Sequence, residues 1–210
     1  MLSARTVPTG TPIHNIRDQL FSAAERVLLR DGPDGLTSRA VTTEADVAKG
    51  ILHRHFPDFN AFLAAFALTH IERLDVVSEE LRASIGTATV AGNLAGALTA
   101  ALTPTAIRTI NLVCSRQQLL AHLRVMAPRG IPVAAEITKM TATYLTAERG
   151  LGRIAIDTDV DALAVTLVGG AYLHASERDD LQLDSEELRD VMRAGIGSAQ
   201  QQPNLRTRAR

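Results

Sequence analysis

The spacing of helix breakers limits what this chain can fold into more than any other feature. Glycine and proline fall in clusters or at isolated points: "DGPDG" at 31–35, Pro57, Gly86, Pro104, "APRGIP" at 127–132 and "RGLG" at 149–152. Between these breaks apolar residues return every three or four positions. Ile13, Ile16, Leu20, Ala24 and Val27 do so, which lays one apolar stripe along a helix. No alternation with a period of two is sustained between hairpin turns, so strands are not expected. The expected fold class is all-α.

The segments follow from these breaks. A first helix runs from Ile13 to the "DGPDG" stop. Thr37 or Ser38 can cap a short second helix reaching about Ala45, and a third runs over about 48–55. Pro57 forbids its continuation, and Asp58 can cap a long fourth helix that meets no Gly or Pro before Gly86. Further helical segments are expected near 88–102, 105–126, 132–148, 159–176 and 185–198, with another break at "ERDDLQLD", 177–184. The chain then divides into a flexible arm (1–11), an N-terminal helix-turn-helix domain (12–57), a larger helical domain (58–199) and a disordered tail (200–210).

Residues 38–55 carry the functional expectation. Two short helices joined by a tight turn, with a helix on either side, outline a helix-turn-helix, whose second helix enters the DNA major groove. That second helix lies in "ADVAKGILHRHF", 45–56. Gly50 near its start lets backbone approach a duplex, and Lys49, His53 and Arg54 supply donors for phosphates and bases. The formal net charge is −1, so attraction to nucleic acid cannot come from bulk charge. Over residues 1–60, Arg5, Arg17, Arg26, Arg30, Arg39, Lys49 and Arg54 are balanced by Asp18, Glu25, Asp31, Asp34, Glu44, Asp46 and Asp58. Attraction must therefore come from the clustering of Arg39, Lys49 and Arg54.

Other chemistries find little support. Paired carboxylates at catalytic spacing, a nucleophile elbow and a phosphate loop are missing, so neither an enzyme nor a cofactor is expected. His53 and His55 are two apart, which turns them about 200° from each other on a helix and disfavours a shared metal. The single cysteine, Cys114, allows no disulfide within the chain and no cysteine-based zinc site. The apolar run "TVAGNLAGALTAAL", 89–102, is too short and too rich in Thr, Gly and Asn to span a bilayer. No signal-like segment opens the chain, and the expected location is cytoplasmic.

The stretch "GPDGLTSRAVTTEADVAKGILHRHFPDFNAF", 32–62, resembles the DNA-binding segment of the TetR (tetracycline-repressor) family of bacterial regulators. "KGILHRHF" looks like that family's lysine–glycine–apolar–leucine–tyrosine–arginine–histidine–phenylalanine run, and Thr37, Arg39 and Val41 match in place. The resemblance covers the first third of the chain. Asp46 stands where the family has a turn glycine, Thr42 where it has alanine, His53 where it has tyrosine, and Phe59 where it has a lysine. Asp tolerates a left-handed backbone, and the Thr42 hydroxyl can bond a carbonyl one turn earlier.

The resemblance implies a double-stranded DNA operator as partner. Thr37, Ser38 and Arg39 would meet it from the second helix; Ala48, Lys49, Gly50, Ile51, His53 and Arg54 would meet it from the third. It also implies that the middle helices form a chamber for a small-molecule effector. Leu74, Val77, Leu112, Leu120, Met126 and Met140 suit its wall, and Asn111, Arg116 and Tyr144 could fix a ligand. With aromatics at 3% of residues, an aliphatic or mixed ligand is favoured over a stacked multi-ring one. Gly169 and Gly170 each cost about 1 kcal/mol inside a helix, which close packing against another helix offsets. That helix belongs either to the same chain or to a second subunit. The resemblance implies a homodimer seam from the last two long helices, with Leu163, Leu167, Gly170, Ala171, His174, Leu188 and Met192 on it. The function implied is a ligand-released repressor. The alternative is an all-helical ligand-binding or scaffold protein whose degenerate helix-turn-helix does not bind DNA.

Overall fold

The computed structural model describes residues 16–126, 131–178 and 180–197, which hold ten helices and no strand. The arm at 1–11, the tail at 200–210 and the side chain of Met126 lie outside the described residues. Helix α1 spans Ile16–Gly35 and kinks at Gly32 (φ 72°), so "DGPDG" bends the helix before it ends. Helices α2 (Ser38–Glu44) and α3 (Ile51–His55) follow, then α4 (Phe59–Ala83). Thr37 Oγ1 accepts from Ala40 N–H at 3.1 Å and Asp58 Oδ1 from Ala61 N–H at 2.8 Å, so both caps form as the sequence implies.

The remaining helices are α5 (Val90–Ala101), α6 (Pro104–Ser115), α7 (Gln117–Met126), α8 (Pro132–Gly150), α9 (Val160–Ser176) and α10 (Ser185–Ile196). The expected single segment over 105–126 is two helices. Arg116, with an extended backbone (φ −120°, ψ 96°), separates them. Neither Gly nor Pro marks this break, which is why periodicity alone runs through it. The third helix is also shorter than expected, because Ala48–Gly50 form a turn ahead of Ile51.

Two apolar clusters hold the fold. The first joins α1, α2 and α3 to the start of α4, and it also takes Leu112, Val113, Leu119 and Leu123 from α6 and α7. All five phenylalanines of the chain gather in this region: Phe21, Phe56, Phe59, Phe62 and Phe66, in ring pairs 5.1–6.2 Å apart. Such pairs add about 0.5–1.5 kcal/mol each beyond the area they bury. The second cluster is the core of the larger helical part, from Leu74 on α4 to Ile196 on α10. There α10 lies against α5 and α9, and α8 against α4 and α9. Helices α9 and α10 approach closely at Gly195. A Cβ there would sit 2.6 Å from Leu167 Cδ2, so glycine lets these helices come this near.

Candidate nucleic-acid interface

Helix α3 has five residues, too few to be stable by itself. It is held by Leu52 on its inner face (0% exposed) and by Phe56 just past its end (4%). The turn before it is pinned from α1, where Gln19 Nε2 donates to Ala45 O at 2.7 Å. Asp46 adopts φ 51°, the left-handed geometry that the family's glycine would supply. Thr42 Oγ1 donates to Ser38 O at 3.0 Å, the backbone contact expected of a hydroxyl at that position. With its inner face anchored, α3 presents His53, Arg54 and His55 outward, and the preceding turn presents Ala48, Lys49 and Gly50.

The charges are sorted by ion pairing. Arg26 Nε lies 2.7 Å from Glu44 Oε1, and Arg30 Nη1 lies 2.8 Å from Glu44 Oε2. Hydrogen bonds from Arg26 and then Arg30 hold the Glu44 carboxyl below its ordinary range. Arg30 also pairs with Asp31 at 3.0 Å. Arg39, Lys49 and Arg54, by contrast, are exposed and make no ion pair among the described residues. A region of zero formal charge thus keeps three uncommitted cations on the helix-turn-helix.

Most of the expected DNA contacts share this surface: Thr37, Arg39, Ala48, Lys49, Gly50, His53 and Arg54 are all exposed. Two are not. Ser38 Oγ is buried without a hydrogen-bond partner, and Ile51 packs against the N-terminal core. Both point inward because their positions fall on the side of the helix that meets the other helices. A Cβ added at Gly50 meets nothing within 4 Å, so no packing inside the protein calls for glycine there.

The expected chamber residues do not converge. Leu112 is fully buried and Leu120 partly so, both in the N-terminal cluster rather than around a cavity. Arg116 donates through Nη2 to the carbonyls of Pro33 and Leu36, both at 2.8 Å, so it is tied to the DNA-binding part. Leu74, Val77, Met140 and Tyr144 do belong to the C-terminal core. Met140 and Tyr144 border only a crevice of about 30 Å³, while Val77 lines an open groove of about 260 Å³ between α4 and α5. A separate apolar groove of about 250 Å³ lies between α6, α8 and α9, bordered by Ile110, Cys114, Thr138, Val168 and Tyr172. Asn111 reaches it indirectly, its Oδ1 accepting the Tyr172 hydroxyl. That groove was not legible from the sequence, because its residues come from three helices with no common motif.

The expected seam residues need correction as well. Leu167, Ala171, Leu188 and Met192 are at most 2% exposed within one chain, and Leu163 packs on the same core. A Cβ at Gly170 would meet Val191 of the same chain at 3.8 Å, and His174 Nε2 faces Glu187 Oε2 at 3.3 Å. Leu167, Ala171, Leu188 and Met192 are therefore buried inside the subunit, while Leu163, Gly170 and His174 stay partly exposed. The large apolar side chains that α9 leaves exposed are Val165 (61%) and Leu173 (63%), with Gly169 between them; Val165 and Gly169 also border the groove between α6, α8 and α9.

Two buried polar groups escaped the sequence reading. His70, 4% exposed, continues the Phe62–Phe66 stripe of α4 and sits edge-on to Phe66 at 5.0 Å. Burial first, and the Arg73 charge second, push it down to about 4 against the opposing pull of Glu25, and its Nε2 has no hydrogen-bond partner. Glu25 on α1 accepts from Thr105 Oγ1 at 3.0 Å and pairs with Arg73 at 3.4 Å. Burial alone would raise its carboxyl, but the Arg73 and Thr105 bonds and the Arg73 charge outweigh burial and lower it. The second group is Glu148, 0% exposed, which faces Arg153 at 3.1 Å and accepts from Gly86 N–H at 3.1 Å. Burial and the Glu148 carboxylate together raise the neighbouring Tyr144 hydroxyl. The i, i+4 place of His70 on an apolar stripe was a usable signal; the Glu148–Arg153 pairing across a turn was not.

A helix-turn-helix with outward cations, carried on a helical body, defines a DNA-binding regulator. Residues 20–66 match the sequence pattern of "Bacterial regulatory proteins, tetR family". No curated protein matches the chain in sequence. Among solved structures, a TetR-family member from Streptomyces coelicolor A3 is 29% identical with a TM-score of 0.61, covering 86% of this chain and 97% of its own. The multidrug binding protein EbrR, solved in complex with imidazole, is 25% identical with a TM-score of 0.60, covering 91% and 98%. A TetR-family transcriptional regulator from Rhodococcus sp. has a TM-score of 0.64 at 18% identity, covering 88% and 98%. Residues 20–66 are thus a TetR-type DNA-binding segment, and the all-helical architecture behind it is similar to that of TetR-family structures. Among the described residues, no single helix is long and apolar enough to cross a membrane.

Proposed function

We propose that this protein is a homodimeric, ligand-responsive repressor that binds a near-palindromic operator in the cytoplasm and leaves it when a small molecule binds. The observation that carries the DNA-binding part is the sorting of charge. Glu44 occupies Arg26 and Arg30, while Arg39, Lys49 and Arg54 stay exposed on the helix-turn-helix without ion pairs among the described residues. Gly50 between them leaves room for close approach of the phosphate backbone. The effector site is assigned to the groove between α6, α8 and α9. Its border is almost wholly aliphatic with one tyrosine, which favours a small apolar ligand carrying few hydrogen-bonding groups. The subunit seam is assigned to the outer face of α9 around Val165, Gly169 and Leu173, since exposed apolar side chains at helical spacing mark an interaction surface; Val165 and Gly169 also border the effector groove, so the seam adjoins its rim.

Selection of duplexes from a random pool tests the reading. The expected product is an inverted repeat, because operator symmetry mirrors a two-fold dimer. Lys49→Ala and Arg54→Ala should each weaken binding. A lost phosphate contact makes the salt dependence shallower by about 0.9 in log–log slope. Failure to enrich any duplex, with the protein folded, would favour the scaffold reading instead.

A further inference from the structure

Three parts of the DNA-binding end meet at one side chain of the body. Arg116 stands in the extended link between α6 and α7. Its Nη2 donates to Pro33 O, just past the α1 kink, and to Leu36 O, just before the α2 cap, each at 2.8 Å. Its guanidinium also lies 5.9 Å from the ring centroid of Phe59, the first residue of α4. One planar cation therefore touches the corner between α1 and α2 and the root of α4. Next to it, Asn60 Nδ2 donates to Gln118 Oε1 at 3.2 Å. Two residues before Arg116 is Cys114, on the last turn of α6 and bordering the apolar groove. Whatever displaces that last turn must move Arg116, since only Ser115 lies between them.

We propose that Arg116 is the positioning residue through which the body sets the pose of the helix-turn-helix, so that a group filling the groove at Cys114 alters DNA affinity by way of the Pro33 and Leu36 carbonyls. The physical basis is that both carbonyls are hydrogen-bonded to a charge, and such bonds are short and directional. Loss of the guanidinium frees the α1–α2 corner; a shift of it drags the corner along. This inference rests on the regulator reading above.

The test uses the chain's one cysteine and N-phenylmaleimide as the group that fills the groove. First, the unmodified protein selects a duplex; if it selects none, the DNA-binding reading fails and Arg116 is not at issue. Alkylation of Cys114 is then expected to change affinity for that duplex at least tenfold, with Cys114→Ser unaffected by the reagent. By reciprocity of coupled equilibria, saturating duplex should change the alkylation rate of the parent protein. In Arg116→Gln the alkylated and unalkylated forms should bind DNA within threefold of each other. An Arg116→Gln protein that is folded but binds no DNA also supports the role, provided Arg116→Lys, whose ammonium can still donate to both carbonyls, recovers binding. The proposal is overturned if alkylation leaves affinity unchanged, if Arg116→Gln keeps the full response, or if Arg116→Lys fails to bind DNA where the Gln variant also fails. Sedimentation of the alkylated protein is the remaining check: dissociation into monomers would place the effect at the subunit seam and overturn the route through Arg116.

Discussion

His70 should make the protein lose stability in mild acid. The ring is 4% exposed, its Nε2 has no partner, and it stays neutral down to about pH 4 in the folded state, whereas the unfolded chain takes up a proton near 6.5. Between those two values the unfolded state binds more protons, so acidification favours unfolding. The penalty is negligible at pH 7.5, reaches roughly 2 kcal/mol at pH 5 and saturates at roughly 3 kcal/mol below pH 4. Replacing the ring by phenyl, His70→Phe, keeps the edge contact with Phe66 and removes the titration. Urea unfolding of parent and variant at pH 7.5 and at pH 5 measures both terms. The variant should gain about 2 kcal/mol on the parent between the two conditions, which for a chain of this size is about 4–8 °C in Tm. Glu25 contributes in the same direction at lower pH in both proteins, because its lowered carboxyl stabilises the fold only while ionised. The His70 charge is the weakest of the influences on Glu25, so its contribution largely cancels in the comparison. Parallel pH profiles for the two proteins would refute the assignment of the acid sensitivity to His70.

Gly50→Ala should leave thermal stability unchanged or slightly raised, by about 0.4–1 kcal/mol, because its Cβ has open space and its φ suits alanine, yet weaken DNA binding at least tenfold. Equal affinity, read by fluorescence anisotropy, would show that the duplex does not approach there. Arg153→Met should cost about 3–5 kcal/mol by leaving the buried Glu148 carboxylate unpaired, with part of the loss recovered in the double variant Arg153→Met, Glu148→Gln. A loss below about 1 kcal/mol in calorimetry would mean water reaches the carboxylate. Leu173→Asp should shift the protein to monomers at low concentration without lowering the monomer's melting temperature; sedimentation equilibrium showing an unchanged dimer would move the seam off this face of α9.

The helices were legible because their ends are written in local chemistry. Thr37, Asp58, Thr89, Thr103, Asp159 and Asp184 all cap helices through their side chains, and each stands where a pattern of period 3.6 begins. The helix-turn-helix was legible for the same reason, since contiguous residues on two short helices form it. The break at Arg116 was not, because no breaker residue marks it and its cause is tertiary: the guanidinium is drawn to carbonyls 80 and 83 residues away in sequence. Chamber and seam residues fared worst. Apolar side chains on α9 and α10 look alike in sequence, and only packing decides that Leu167 faces inward while Leu173 faces out. A resemblance can nominate a helix for a role without saying which of its faces plays it.

The first core cluster does not respect the boundary that the motif suggests. Leu112, Val113, Leu119 and Leu123 of the body complete the apolar interior of the recognition unit, and the first turns of α4 carry its Phe62 and Phe66. The DNA-reading end is therefore not a detachable module. Cut out at Pro57, it would leave its largest aromatic contacts behind and uncover the surface that α6 and α7 now seal. Grafted onto another regulator's body, it would need that body to offer four apolar side chains in the same places. In this chain the helix-turn-helix shares its interior with the end of α6 and with α7, so those helices and the motif can be exchanged only together.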